Sequence, residues 1–255
     1  MNLIELAKYL LDEAAAEEYL LNKNILKNYT ECPYCNSKSI GKIRRGLLKC
    51  YKCKREWNRR KGSFLESRHI ASSKFIGFLK LYSEEMGVME ICSELEIERK
   101  HGLTIFNDTR EILLRDKLDY NNKSEKVLLW ADKEDKLHIR FIEDECVPPD
   151  VKGYLELSFS RYKEFGGLYG FLVKSEWRGI KIRYGNLVNS FISYVKMKVI
   201  SYRGIHKRYF YEYLVELLIR FNLRDKDFYE VLLENLEFSR VVKTPLSRKS
   251  KKKGR

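Results

Sequence analysis

The chain has 255 residues, 44% hydrophobic and 13% aromatic, which is enough to bury a core and excludes a disordered polymer. It carries 50 Lys and Arg against 36 Asp and Glu, a net charge of +14 that favours nucleic acid or an anionic surface as partner. No run approaches the roughly eighteen apolar residues of a membrane span, so no membrane role is expected.

Residues 1–21 come first. Leu3, Ile4, Ala7, Leu10, Leu11, Ala14 and Ala15 recur at helical spacing and predict one amphipathic helix over 2–21. Such a helix either packs on the domain that follows or offers a homodimer contact. Its acids (Glu5, Asp12, Glu13, Glu17, Glu18) have the wrong sign for a signal or transit peptide.

Residues 22–61 hold two CxxC pairs, Cys32-Pro33-Tyr34-Cys35 and Cys50-Tyr51-Lys52-Cys53, fourteen residues apart. That spacing predicts a four-cysteine zinc ribbon. Zinc takes the deprotonated, soft sulfur, and a shell of four thiolates leaves no position for substrate, so the site is structural. Ile43, Leu47, Leu48 and Trp57 are its expected core. The segment carries thirteen Lys and Arg against two Glu. Four thiolates and one Zn²⁺ contribute about −2 together, so a positive excess survives metal binding. Lys42, Arg44, Arg45, Lys52, Lys54, Arg55, Arg59, Arg60 and Lys61 are the candidate contacts to DNA phosphates. Metal-patterned cysteines also point to a reducing, intracellular compartment. Cys92 and Cys146 read as buried thiols.

Residues 62–120 read as helical. One helix starts at an N-cap of Ser72 or Ser73 and runs through Phe75, Phe78, Leu79 and Tyr82. A second covers about Met89–Leu95, a turn follows at Glu96–Glu98, and a third runs from roughly Lys100 to Leu118. Short helix, tight turn, longer helix is the outline of a helix-turn-helix, though any small helical bundle gives it too.

In residues 121–242 the period changes. Val127–Ala131 and Leu137–Ile142 read as strands joined by the polar turn Asp132–Lys136, and Gly153–Phe159 as a third. Long helices near Leu187–Ser201 and His206–Asn222 close the segment, and a shorter one follows near Phe228–Leu236. Residues 243–255 are basic without an acid and read as a disordered tail, for nuclear import in a eukaryote or for nucleic-acid binding.

Several motifs then converge. Cys32-Pro33-Tyr34-Cys35, the run from Leu48 through Trp57, and Lys61-Gly62-Ser63-Phe64-Leu65-Glu66-Ser67-Arg68 resemble the front of ISXO-type insertion-sequence transposases. Their eukaryotic relatives are the Merlin DNA transposons. The resemblance returns at Gly185 through Lys196, at Tyr202-Arg203-Gly204-Ile205, at Tyr213 through Leu217, and at Arg220-Phe221-Asn222. It implies a zinc ribbon, a helical DNA-binding segment and a ribonuclease-H-like core. That core holds two Asp and a third residue, Glu or Asn, with a Lys seven positions later. Its acids hold two Mg²⁺ ions, which activate a nucleophile and stabilise the leaving oxygen.

Asn189 and Lys196 match the last two positions. Seven residues is two helical turns less about 20°, so both share one helix face. Asp132 can be laid on the first catalytic Asp, although Asp132-Lys133-Glu134-Asp135-Lys136 reads equally as a charged hairpin turn. The second Asp should precede a Tyr by five residues, and counting back from Tyr162 reaches Leu157. Glu156 is adjacent, but on the opposite face of a strand. The catalytic set is incomplete. Other chemistries find no footing: the four histidines are scattered, no phosphate-cradling or nucleophile-elbow motif occurs, and Glu143-Asp144-Glu145 reads as a solvated loop.

The sequence therefore reads as an α+β chain. A zinc ribbon comes first, then a helix-turn-helix-like segment, then a shortened ribonuclease-H-like α/β core closed by long helices. The expected function is transposase-like binding of double-stranded DNA with structural Zn²⁺, and with Mg²⁺ only if the core still cuts. The alternatives are an active transposase that cuts and joins DNA ends, and a zinc-ribbon transcription or RNA-associated adaptor.

Overall fold

The computed structural model describes residues 1–115, 126–142, 153–158, 186–201 and 210–243. The chain divides into two compact units, Met1–Leu113 with the segment from Phe228 on, and Leu114–Asp227. The expected core at 121–242 thus loses its last helices to the first unit. Cys146, Glu143–Glu145, the Tyr202–Ile205 motif and the basic tail after Lys243 lie outside the described residues.

The single helix expected at 2–21 is two, α1 (Leu3–Leu11) and α2 (Glu13–Asn22). Asp12 separates them with extended backbone (φ −129°, ψ 105°), and its carboxylate accepts from the amides of Ala14 and Ala15. A short acidic side chain competes for local N–H groups, so a helical run containing Asp breaks where that side chain can cap. Asn2 and Glu5 cap α1 reciprocally. Leu6, Ala16 and Leu20 are buried, whereas Ile4 and Leu11 stay exposed. Both helices pack on α3 (Ser72–Ser83).

Between them lies the ribbon, an antiparallel sheet of β1 (Ile40–Lys42), β2 (Leu48–Cys50) and β3 (Glu56–Trp57), in that order. A 3₁₀ turn at Arg44–Gly46 joins the first two strands, and Gly46 takes the positive φ (+72°) that only glycine adopts without strain. The core is Tyr29, Cys32, Leu48, Cys50 and Trp57, with Ile40 against it. Ile43 and Leu47, expected inside, are only half-buried. They face each other across the hairpin mouth, where the Ile43 amide donates to the Leu47 carbonyl, beyond the reach of that cluster.

α3 buries Phe75, Ile76, Phe78, Leu79 and Tyr82 and is the central helix of its unit. Its N-cap is Ala71, which has no capping side chain, and not the expected Ser72 or Ser73. α4 (Val88–Glu94) and α5 (Arg99–Leu114) follow. Glu96 takes positive φ (49°) in the turn between them. Gly102 lets α5 approach α4 so closely that a Cβ there would lie 2.1 Å from the Cys92 sulfur.

The second unit holds an antiparallel sheet of β4 (Lys126–Ala131), β5 (Leu137–Ile142) and β6 (Gly153–Ser158), ordered β5-β4-β6. The first strand is therefore central. Leu128 and Leu129 point to opposite faces of it and both are buried. α6 (Asn186–Ser201) packs on β4 and β6, and α7 (Phe210–Asn222) on β5 and α6. The Asn222 side chain completes the join. Its oxygen accepts from the Leu137 amide at 3.0 Å and its nitrogen donates to the Leu137 carbonyl at 2.7 Å, as a neighbouring strand would.

α8 (Phe228–Asn235) and α9 (Phe238–Lys243) return to the first unit. Tyr229, Leu232 and Leu233 are buried where α8 packs on α3, and the Phe238 amide donates to the Asn24 carbonyl at 2.8 Å. The protein is a mixed α+β chain.

Candidate metal centre and basic surface

The four ribbon cysteines converge. Their sulfurs all lie within 4.8 Å of one another, with Cys32 to Cys53 at 3.6 Å and Cys35 to Cys50 at 3.7 Å. A tetrahedral shell with 2.3 Å metal–sulfur bonds has edges of about 3.8 Å, so these gaps fit one zinc-sized ion. Each pair turns the same way: Asn36 and Lys54, the residues just after the second cysteine of each knuckle, both hold positive φ (54° and 62°). The Tyr34 amide donates to the Cys32 sulfur and the Cys53 amide to the Cys50 sulfur, each at 3.4 Å. Such donors stabilise thiolate.

The Cys50 thiol is lowered to about 6, chiefly by the Cys53 backbone N–H. Cys35 is pushed up to about 11: the Ser37 N–H lowers it, but burial and the three neighbouring sulfurs prevail. Four sulfurs at close quarters cannot all ionise without a cation among them. The cluster can hold a metal ion such as zinc. Among the described residues, no other group of three or more His, Cys, Asp or Glu ligands comes together.

The candidate phosphate contacts divide into two groups. Lys42, Arg44, Lys52, Lys54 and Arg55 are exposed, while Lys61 is half-buried. The Arg45 side chain lies outside the described set. Arg59 lies 3.8 Å from Glu17, and Arg60 donates to the Ile70 carbonyl at 2.6 Å and the Ser72 hydroxyl at 3.1 Å. Arg60 thus fastens the ribbon to the start of α3. The helix pair is different again. Arg99, Lys100, Thr104 and Asn107 are exposed on α5, but so are Glu90, Glu94, Glu96 and Glu98 on α4 and its turn. The helix-turn-helix outline is present with an acidic first helix.

Asp132 sits just after β4, and its carboxylate is occupied by its own turn. One oxygen accepts from the amides of Glu134 and Lys136, both at 2.9 Å, and the other meets His138 Nε2 at 2.7 Å. His138 first, and then the Lys136 amide, hold this carboxyl below its usual range. The charged hairpin is the observed arrangement. Asn189 and Lys196 lie on α6, whose Phe191, Ile192 and Val195 are buried. Lys196 is half-buried, and the Asn189 side chain is outside the described set. Glu156 is paired across from Leu128.

Sequence reasoning missed His138, which stacks on Trp130 at 5.3 Å. The signal was the hairpin register, which sets the two opposite each other. Beside them is a cavity of about 290 Å³ lined by Leu137, Ile139, Leu218, Ile219 and Leu223. Comparisons of the chain with family models, with curated proteins and with solved structures return no match. No helix among the described residues is long and apolar enough to cross a membrane.

Proposed function

We propose that the chain is a transposase-like, zinc-ribbon protein that binds double-stranded DNA through the ribbon, with a ribonuclease-H-like second unit whose metal-dependent cutting site is incomplete. The observation that carries this reading is the exposure of Lys42, Arg44, Lys52, Lys54 and Arg55 on a small sheet and its connections, beside four converging cysteines. Cations carried on a backbone fixed by the cysteine cluster hold a set spacing for a phosphate backbone. The acidic α4 would repel phosphates, so the ribbon and not the helix pair takes the backbone.

Support for a transposase-like core is the packing of α6, which bears Asn189 and Lys196, on β4, which ends just before Asp132. Against catalysis stands the engagement of the Asp132 carboxylate by its own hairpin. Three of the roughly four lone-pair sites of this carboxylate are already taken, two by amides of its own turn and one by His138.

A gel-shift series over salt tests the reading. Each neutralised phosphate contributes a log–log slope of about −0.9, so five contacts lower affinity on the order of 10⁴-fold per decade of salt. A complex indifferent to salt would overturn it and favour an adaptor that binds protein. Mg²⁺-dependent strand cleavage would overturn the incomplete site.

A further inference from the structure

Among the Phe, Trp and Tyr side chains that the structure describes, two are exposed, Tyr34 at 39% and Tyr51 at 50%. Both sit inside CxxC knuckles, one in each, and neither belongs to the ribbon's core. The fold does not use their outer surface, since Tyr29, Leu48, Trp57 and the cysteines fill the interior without them.

Each ring is nevertheless held in place. Tyr34 meets Trp57 edge-on at 6.1 Å, and two cations stand over its ring, Arg55 at 4.9 Å and Lys61 at 4.8 Å from the centroid, so a base stacks there only by displacing one of them toward its phosphates. Tyr51 lies against the β1 backbone at Gly41. A Cβ on that residue would stand 2.5 Å from the tyrosine hydroxyl and 2.9 Å from the ring, so glycine is what admits it. Exposed Lys42 and Lys52 are the chain neighbours of Gly41 and Tyr51.

An aromatic ring fixed on a rigid support, half open to water and flanked by cations, is suited to one ligand chemistry. A nucleobase stacks on the ring while its phosphates meet the cations. Duplex DNA cannot use such a ring, because its base faces are covered by their neighbours. We infer that Tyr34 and Tyr51 are base-stacking platforms, and that the ribbon takes unpaired bases of single-stranded DNA in addition to duplex phosphates. This rests on the ribbon being the DNA-binding element.

The test uses the full chain loaded with zinc and two single-stranded DNA probes of equal length and charge, oligothymidylate and an abasic strand, read by fluorescence anisotropy. The thymidylate strand is expected to bind at least about fivefold more tightly, the low end of one base–aromatic stack. Tyr34→Leu and Tyr51→Leu should each reduce that preference, with zinc content unchanged. Gly41→Ala should do so as well, by displacing the Tyr51 ring at no change of charge. Equal binding of the two strands, or a preference that survives both tyrosine variants, overturns the inference. So does tighter binding of the matching RNA than of DNA. If the duplex is bound with a steep salt slope but no base-dependent term appears, the platforms fail and the proposed function stands. If neither probe nor duplex is bound, both fail.

Discussion

The carboxylate of Glu13 caps the helix that begins at Ser72, accepting from the amides of Ser72 at 2.6 Å and Ser73 at 2.9 Å. The helix's own N-cap, Ala71, cannot. Arg60 of the ribbon lies 3.7 Å from the same carboxylate, so one side chain joins α2, the ribbon and α3. Burial alone would raise the Glu13 carboxyl, but the Ser73 and Ser72 amides bring it below its ordinary 4.5. A depressed folded value means the stabilisation is complete above the unfolded value and fades as pH falls through the folded one. Glu13→Ala should cost about 1 kcal/mol in urea denaturation at neutral pH. Glu13→Gln should cost less and flatten the stability profile below about pH 4.5.

Removal of the metal should unfold the ribbon alone. Two of its five buried core residues are cysteines, and Tyr29, Leu48 and Trp57 cannot hold a three-stranded sheet by themselves. Chelation, or Cys50→Ser, should expose Trp57 to solvent, shift the tryptophan emission to the red and abolish salt-dependent DNA binding. Unchanged emission after complete zinc loss would show that the cysteines do not ligate it.

Lys54 holds a left-handed backbone conformation, which costs a side chain with a Cβ about 1 kcal/mol relative to glycine. Lys54→Gly should therefore raise the ribbon's thermal midpoint while reducing the salt slope of DNA binding by about one contact's worth. The two effects have opposite signs, which separates a charge role from a folding role.

Asp132 is a test of the catalytic assignment. Asp132→Ala removes the acceptor of two backbone amides and the His138 contact and should destabilise the second unit by about 1 kcal/mol. Asp132→Asn keeps an acceptor for the amides and should cost less. The depressed Asp132 carboxyl adds stability above its ordinary 3.8 that is lost as pH falls. A hydrogen-exchange measurement on the hairpin locates the change. Were Asp132 chiefly a metal ligand, its removal would relieve strain and leave the hairpin intact.

Gly102→Ala places a Cβ on the Cys92 sulfur and should destabilise the α4–α5 pair by about 2 kcal/mol. With the sulfur gone, the same Cβ would be 3.8 Å from its nearest remaining neighbours. Cys92→Ala combined with Gly102→Ala should thus be more stable than the sum of the single changes, as a double-mutant cycle reads it.

Much of the layout is legible in the sequence. The two CxxC pairs announced the cysteine cluster, because a metal site is written in residue type and short spacing. The strands expected at Val127–Ala131 and Leu137–Ile142 are present, the first beginning one residue earlier at Lys126, and the long helices followed from their apolar stripes. Helix ends were less legible. The break at Asp12 interrupts a periodic run with a single side chain, and the cap on α3 comes from a residue 59 positions away.

What the sequence determined by itself was local: a pair of cysteine knuckles able to hold a metal ion, a basic ribbon, and elements whose period is carried by neighbouring residues. Tertiary structure decided how those residues are used. It turned Arg60 inward to the carbonyl of Ile70, gave Asp132 to His138 and its own turn, and returned residues 228–243 to the N-terminal unit. The reason is physical. Charge and hydrophobicity are properties of a residue, but whether an arginine meets solvent or a buried carbonyl depends on which distant backbone groups need a partner.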